Sequence, residues 1–371
     1  MTVEATETFS EADVLATGES IARAQEPSGA IAWPDGHVDA WDHVESAMAL
    51  SACGLHGPAR RAYAWLRDTQ RADGSWPRSS LGGRVTDPAA ESHHAAYVAV
   101  GAWHEYLVTG DESHALAMWP TVRRAVEWAL ALRTPRGEVA WERDASGTAG
   151  TYALLSGCSS IHQSLRCAVA LGKLADDPQP DWELAADRLA DLVGAHPEAF
   201  ADKSRFAMDW YYPVLGGVVR GAAAVARLKA GWDTFVVPGL GVRCVSDQPW
   251  VTGAETCELV LALDACGLRA QAAAMFATTA HLRHQDGSYW TGWQYANRAH
   301  FPAERSSWTA AAVVLAADAL MGWSSGAGVF RDDAEQNRSD QIRRRAGGGA
   351  GCALEDAEGA LGADLGEGGG G

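Results

Sequence analysis

The sequence lacks the features that mark several common classes of protein. Its seven cysteines are odd in number and form no Cys-x-x-Cys pair, which predicts reduced thiols in a cytoplasmic protein. No apolar run reaches the roughly 18 residues that indicate a membrane span, and the acidic N-terminus has no apolar signal-peptide core. Lysine and arginine number only 30 against 47 aspartates and glutamates. This deficit of positive charge argues against nucleic acid and anionic membranes as partners.

Strand-like alternation is also rare, and residues 234–237 are the one candidate. What remains is helical periodicity of two kinds. Amphipathic segments, which carry one apolar stripe, occupy residues 7–25, 58–71, 113–133, 181–196 and 268–284. Segments that are apolar nearly all round are expected to be buried, and they begin near Asp42, Glu91, Ser159, Tyr212, Ala254 and Arg305.

The two kinds of segment alternate along the chain, and the apolar ones recur about every 40–70 residues. We therefore predict an all-α protein, an (α/α)6 toroid over residues 8–324 with apolar helices as its inner ring and amphipathic helices as its outer ring. The outer helix between the fourth and fifth inner helices is expected to be short or missing. Residues 325–371 hold 13 of the 40 glycines and almost no aliphatic residues, which predicts a disordered low-complexity tail.

One turn motif recurs where amphipathic segments end. Its clearest copy runs Trp65-Leu66-x-x-x-Gln70-x-x-x-Gly74-x-Trp76, and partial copies end at Trp33, Trp141 and Trp290. The glycine supplies a left-handed residue that ends the helix, and the glutamine side chain can bond the freed carbonyls. This pattern resembles the QW repeat of the terpenoid cyclase and protein prenyltransferase superfamily. The resemblance implies a toroid with a central cavity and an enzyme of isoprenoid chemistry.

The catalytic hallmarks of that superfamily are missing from the sequence. There is no Asp-x-Asp-Asp acid motif, no Asp-Asp-x-x-Asp for a diphosphate-bound magnesium, and no His/Cys cluster with convincing zinc spacing. His93 and His94 are adjacent, so on a helix their rings are expected to point about 100° apart and not to share one metal. We therefore predict no metal and no other cofactor.

Chemistry is expected where the N-termini of the inner helices converge, because their loops carry acids next to aromatic residues. Paired carboxylates there could act as general acid and base, and aromatic faces suit sugar rings or an isoprenoid cation. The candidate catalytic residues are Asp39, Asp42, Asp209, Glu255, Glu304 and Glu91. The candidate ligand-binding residues are His37, Trp41, His43, His94, Trp210, Tyr211, Tyr212, Trp250, Trp290, Trp293 and Trp308.

Three functions are compatible with these observations. The resemblance favours a prenyltransferase-like or terpenoid cyclase-like enzyme acting on a small molecule in the cavity. The alternative is a cytoplasmic six-hairpin glycosidase-like hydrolase that uses paired carboxylates on a saccharide. A third reading is a binding protein on a degenerate toroid without catalysis.

Overall fold

The structure is a computed structural model that describes residues 10–331. Within these residues the chain forms twelve α-helices: α1 (Glu11–Ala24), α2 (Ala40–Ala52), α3 (His56–Thr69), α4 (Ser92–Thr109), α5 (Glu112–Leu130), α6 (Leu155–Leu174), α7 (Pro180–Ala195), α8 (Ala207–Leu215), α9 (Gly221–Phe235), α10 (Gly253–Ala265), α11 (Arg269–Ala277) and α12 (Ser307–Met321). The prediction of a mainly helical protein is confirmed. No helix in this part of the chain is long and apolar enough to cross a membrane.

The even-numbered helices contact one another in a closed cycle. Helix α2 packs on α4, α4 on α6, α6 on α8, α8 on α10, α10 on α12, and α12 returns to α2. Each odd-numbered helix packs outside this cycle, for example α5 on α4 and α7 on α6. The even helices are the apolar ones, and α12 buries its residues from Ser307 to Ala319 except Trp308. The sequence pattern therefore identified which helices lie inside.

Small residues let the inner helices approach closely. On α4, a Cβ added at Gly101 would come within 2.6 Å of Cγ1 of Val44 on α2, so a larger residue would push the two helices apart. The hydroxyl of Tyr63 on α3 donates to the Gly101 carbonyl at 2.9 Å. This contact joins an outer helix to the inner pair.

The Gln-Gly-Trp turn is a clamp between successive outer helices. The Gln70 side-chain amide donates to the Gly74 carbonyl of its own turn and to the Thr121 carbonyl of α5, both at 2.9 Å. The Trp76 indole Nε1 donates to the Leu66 carbonyl at 3.1 Å. The bond to Gly74 satisfies a carbonyl of the turn, as the sequence predicted, and the bond to Thr121 joins the turn to the next outer helix. The motif therefore indicates how successive outer helices pack against each other.

Replacing Gly74 with alanine should destabilise the fold strongly. Gly74 has φ of +99°, and an added Cβ would clash with the Arg124 carbonyl of α5. Gly54 is a matched control, because its φ is +72° but an added Cβ would meet nothing within 4 Å. We expect Gly54→Ala to cost about 1–2 kcal/mol in free energy of unfolding from backbone strain alone, and Gly74→Ala to cost clearly more. Chemical denaturation measures both, and equal losses would show that the close approach to α5 does not matter.

The fourth hairpin differs from the prediction. We expected one inner helix starting near Tyr212 and a short or missing outer helix, but the chain forms inner helix α8 and a full outer helix α9. The break falls at two glycines. A Cβ at Gly216 would clash with the Ser159 carbonyl of α6, and Gly217 has φ of +81°. These glycines therefore end α8 against its neighbour.

The all-α prediction also missed three small sheets. Their strands are β1 (His37–Val38), β2 (Ser79–Leu81), β3 (Arg84–Asp87), β4 (Ala90–Glu91), β5 (Glu142–Arg143), β6 (Val236–Val237), β7 (Gly241–Arg243), β8 (Trp250–Thr252), β9 (Gly292–Gln294) and β10 (Ala299–His300). They pair antiparallel in the orders β1-β2-β3, β4-β5 and β10-β9-β8-β7-β6. Strands of two to four residues are too short to show an alternating pattern. Only β6 falls in the segment that the sequence indicated.

The folded part extends past the predicted boundary at residue 324. The Ser325 hydroxyl donates to the Leu107 carbonyl at 2.6 Å, and Val329 and Phe330 are buried. The Arg331 guanidinium donates to the Asp264 carboxylate at 2.6 Å. The remainder of the predicted tail, residues 332–371, lies outside the described residues, as do residues 1–9.

Candidate active site

A cavity of about 220 Å³ opens among the N-terminal turns of the inner helices. Five of these helices contribute to its lining: α2, α4, α6, α8 and α12. The lining residues are Trp41, Asp42, His93, His94, Ser156, Gly157, Met208, Tyr212 and Trp308. We call it the central cavity. It contains the predicted Trp41, Asp42, His94, Tyr212 and Trp308, and it adds His93, Ser156, Gly157 and Met208.

Asp42 is the carboxylic acid of the central cavity. Trp33 Nε1 donates to Asp42 Oδ2 at 2.7 Å and to Asp39 Oδ2 at 3.1 Å. Asp39 caps α2, and its Oδ1 accepts from the Asp42 backbone amide at 2.9 Å. Burial and the neighbouring Asp39 charge raise the pKa of Asp42 well above its usual value. Asp42 therefore keeps a proton at pH values where most aspartates have lost theirs, as a general acid must.

Aromatic side chains wall this cavity. The Trp41 ring stacks on the Tyr97 ring with centroids 4.1 Å apart, and the centroid of the Tyr212 ring lies 6.0 Å from that of Trp41. The Trp308 ring lies 6.1 Å from that of Trp33. The Tyr212 hydroxyl lies beside the Ser160 side chain, and the Trp308 indole lies beside Glu45. Aromatic faces beside polar atoms suit a saccharide, which has both apolar ring faces and hydroxyl groups.

Glu91 organises two histidines at the cavity wall. Its Oε1 accepts from Arg78 Nε at 2.7 Å, and its Oε2 accepts from Trp141 Nε1 at 3.0 Å. The Nε2 atoms of His93 and His94 lie 3.5 and 3.4 Å from the same Oε2. Although burial opposes it, the charges of His94, His93 and Arg78 lower the pKa of Glu91. Glu91 is therefore a charged residue that positions the histidines, and it is a poor proton donor.

The expectation that these two histidines cannot face one point is wrong. Their ring centroids lie 4.5 Å apart, because both rings turn toward Glu91 one residue before α4 begins. One ligand atom from each of the three residues lies within 4.8 Å of the others, a spacing that could hold a metal ion. Burial, followed by the charge of His94, lowers the pKa of His93 to about 3. The absence of a required metal stays a prediction.

A second layer of carboxylates, which the sequence analysis missed, lies one helical turn deeper. Glu45 follows Asp42 by three residues, and Glu258 follows Glu255 by three, so each lies on the same helix face as the acid above it. The Tyr97 hydroxyl donates to Glu45 at 3.1 Å. The Tyr211 hydroxyl donates to Glu258, so this fully buried tyrosine supports the deeper layer and does not line the central cavity.

This deeper layer should make stability depend on pH. Burial raises the pKa of Glu45 from 4.5 to about 7, and burial together with the Glu45 charge raises that of Glu258. The folded chain therefore binds more protons than the unfolded chain above about pH 5, so the free energy of unfolding falls as pH rises through about 7. We expect Glu45→Gln to flatten this fall. Melting temperatures between about pH 5 and pH 8 test it, with exposed Glu112→Gln as the control; an unchanged slope in Glu45→Gln would contradict the assignment.

Glu255 lies in the first turn of α10, and in the closed cycle of inner helices α12 lies between α10 and α2. It is only 4% exposed, and its Oε2 has no hydrogen-bond partner within the described part of the chain. The Cys244 thiol lies against it, and burial together with the Glu255 charge raises the pKa of that thiol. Glu255 does not line the central cavity, and its Oε2 is a buried carboxylate oxygen without a donor.

The structure places His43 away from the cavity, which contradicts its prediction as a ligand-binding residue. His43 Nδ1 accepts from the Ile31 amide at 3.1 Å, and Nε2 donates to the Ala62 carbonyl at 3.0 Å. Burial lowers its pKa to about 4, so it is a neutral, satisfied core residue. The reason is helical geometry, because the residue after Asp42 points about 100° away from it.

The remaining predicted residues line either a second cavity or neither of the two. Asp209 and Trp210 line the second cavity, of about 410 Å³, and do not line the central one. Five residues line neither cavity: His37, Trp250, Trp290, Trp293 and Glu304. Several of them contact nearby rings: the ring centroids of His37 and Trp33 lie 5.3 Å apart, and those of Trp290 and His300 lie 4.2 Å apart.

Solved glycosidases have the same fold. One glycosidase superposes with a TM-score of 0.69 at 18% identity, covering 87% of this chain and 100% of its own. The GH63 mannosylglycerate hydrolase from Thermus thermophilus, solved with glucose, gives 0.66 at 14% identity over 81% and 99%. These similarities show that the chain shares the fold of these two proteins. No protein-family profile matches the chain.

The sequence itself identifies the family. The chain is 54% identical over 316 residues to MMP endo-(1,4)-3-O-methyl-alpha-D-mannosidase of Mycolicibacterium hassiacum, covering 85% of this chain and 88% of that protein. The chain belongs to the family of this mannosidase.

The predicted kinship with terpenoid cyclases and prenyltransferases is therefore wrong. So is the leading prediction of a prenyltransferase-like or cyclase-like enzyme, and an isoprenoid substrate has no support. The Gln-Gly-Trp turn was a poor guide to function because it stabilises the packing of successive helical hairpins. Proteins that share this packing carry out different reactions. The glycosidase alternative is the one that the relatives support.

Proposed function

We propose that the protein is an endo-acting mannosidase that hydrolyses (1→4)-linked chains of 3-O-methyl-α-D-mannose in the central cavity. The proposal rests on Asp42, an acid of raised pKa that lies between aromatic walls in a chain 54% identical to a mannosidase of that specificity. The closed cycle of six inner helices with outer helices around it further supports an (α/α)6 toroid. Its mouth, where inner-helix N-termini meet, holds the cavity.

In the proposed mechanism, Asp42 is the general acid and Glu255 the general base. Asp42 gives its proton to the glycosidic oxygen as the bond from that oxygen to the anomeric carbon breaks. Glu255 takes a proton from the water that attacks the anomeric carbon, and its Oε2, which lacks a hydrogen-bond donor within residues 10–331, supports this role. The net reaction adds one water across the bond, and the two carboxyl groups regain their starting protonation from solvent.

Asp39 and Trp33 are positioning residues in this mechanism. Trp33 bonds both aspartates through one indole nitrogen, which fixes the two carboxyl groups side by side. The charge of Asp39 keeps the proton on Asp42. Trp41 and Trp308 supply the faces against which a sugar ring can stack.

Product analysis tests the proposal. The protein is incubated with (1→4)-linked 3-O-methyl-α-mannose oligosaccharides and, separately, with unmethylated α-(1→4)-mannose oligosaccharides, and the products are read by mass spectrometry. We expect cleavage inside the methylated chain, which gives shorter oligosaccharides and not single sugars, with slower cleavage of the unmethylated chain. Failure to cleave either substrate would overturn the proposal and favour a binding protein.

A further inference from the structure

The second cavity, which we call the rim cavity, is lined by Phe200, Lys203, Asp209, Trp210 and Arg227 among others. It adjoins the central cavity, because neighbouring residues line the two sides of one wall. On α6, Leu155 lines the rim cavity and Ser156 the central cavity. On α8, Asp209 lines the rim cavity and Met208 the central cavity.

The wall of the rim cavity is held in place before any ligand binds. The Arg227 guanidinium of outer helix α9 donates to the Asp209 carbonyl at 2.6 Å and to the Trp210 carbonyl at 2.7 Å. Trp210 Nε1 donates back to the Arg227 carbonyl at 2.9 Å. The Trp210 ring stacks on Phe235 at 5.3 Å. Such reciprocal bonds hold the side chains of the wall in place before a ligand binds. Binding therefore costs less conformational entropy of the protein.

One polar group in this wall awaits a partner. Asp209 is only 8% exposed, and although Ser156 bonds its carboxylate, Oδ1 has no hydrogen-bond partner in the described residues. A buried carboxylate oxygen without a donor is unfavourable, because it has lost the water that would otherwise bond it. A hydroxyl group of a ligand would satisfy it. Lys203 supplies an ammonium donor on the same lining, and Phe200 supplies an apolar ring.

These groups match the chemistry of a sugar residue. A pyranose ring offers hydroxyl donors for Asp209, hydroxyl acceptors for Lys203 and an apolar face for Phe200. The rim cavity, at about 410 Å³, is larger than the central cavity of about 220 Å³. An enzyme that cuts within a chain must hold sugar residues on each side of the broken bond.

We propose that the rim cavity is a saccharide subsite, which binds a residue of the same oligosaccharide remote from the bond that is cleaved. The inference rests on the proposed function, since it takes the substrate to be a chain. It gives Asp209, which the sequence indicated as a catalytic acid, a role in binding. Contacts in the subsite should strengthen the binding of long chains, which reach the rim cavity. They should not affect the binding of short chains, which fill only the central cavity.

Chain-length dependence of the kinetics tests this subsite. Asp209→Asn and Lys203→Met are compared with Asp233→Asn and Lys229→Met, which make the same changes at exposed positions on α9. For a long methylated oligosaccharide we expect KM to rise about tenfold in the subsite variants, which corresponds to about 1.4 kcal/mol, and to stay at the wild-type value in the controls. For the shortest oligosaccharide that the enzyme cleaves, KM should change less than twofold in all four variants.

Three outcomes would separate this inference from the proposed function. If wild-type protein cleaves the long chain and both subsite variants match the controls, the subsite is wrong and the mannosidase stands. Equal losses on short and long chains would also overturn it, because Asp209 would then act at the central cavity. Calorimetry measures the affinity for the long chain in the absence of turnover, in the Asp42→Asn variant and in the double variant that also carries Asp209→Asn. Equal affinities of the two variants would again contradict the subsite. If Asp209→Asn fails to fold, Lys203→Met carries the test.

Discussion

Asp42→Asn is expected to lower kcat on the methylated oligosaccharide by about 10²–10⁴-fold, the range for loss of a positioned acid. Asparagine keeps the shape of the side chain and can still accept the bond from Trp33 Nε1, but it has no proton to give to the leaving oxygen. Burial and the Asp39 charge raise the pKa of this carboxyl, so the neutral asparagine replaces a group whose charged form is already disfavoured. The free energy of unfolding should therefore change by less than about 1 kcal/mol.

Two neighbours provide controls for Asp42. Asp35→Asn changes an exposed carboxylate in the same segment and should leave kcat at the wild-type level. Asp39→Asn should move the alkaline limb of the pH–rate profile to lower pH, because the Asp39 charge helps to raise the pKa of Asp42 and activity is lost as the acid deprotonates. Near wild-type activity in a folded Asp42→Asn protein would show that this acid is not the proton donor.

The ring of helices could be read from the sequence because burial leaves a compositional trace. A segment such as the one near Arg305 has almost no charge in its middle, and it becomes α12, one of the most buried helices. The same logic brought Asp42 and Trp41 to one end of the ring, and both line the central cavity. Composition says little about turns, however, so the glycines that end α8 were assigned to the interior of a helix.

Side-chain direction and chemistry were harder to derive. His43 and Asp42 are adjacent in the sequence, yet one bonds core backbone atoms and the other lines the cavity. Glu45 and Glu258 were overlooked although their three-residue spacing from Asp42 and Glu255 indicates the same helix face. In the sequence, Asp209 is equivalent to the other loop acids, and only the fold shows its neighbour Met208 lining the other side of the wall. The turn motif predicted the packing of the helical hairpins, but it did not indicate the type of reaction.

Glu255→Gln should abolish hydrolysis as severely as Asp42→Asn, by about 10²–10⁴-fold in kcat. Glutamine fills the same space but cannot take the proton from the attacking water. The substitution leaves Asp42 intact, so protonation of the leaving oxygen still operates. Azide, a small anion that needs no deprotonation, should therefore restore turnover in Glu255→Gln by attacking the anomeric carbon, and should not restore it in Asp42→Asn.

Glu258→Gln is the matched control for this prediction, since it lies one turn deeper on the same face of α10 and bonds Tyr211. Burial and the Glu45 charge raise the pKa of Glu258, which favours the neutral form that glutamine mimics. We therefore expect kcat to stay within about tenfold of wild type, a change of about 1.4 kcal/mol in activation free energy. If Glu258→Gln were inactive and Glu255→Gln active, the base would lie in the deeper layer. The attacking water would then have to enter below Tyr212, which lines the central cavity, and the reacting sugar would lie one helical turn deeper.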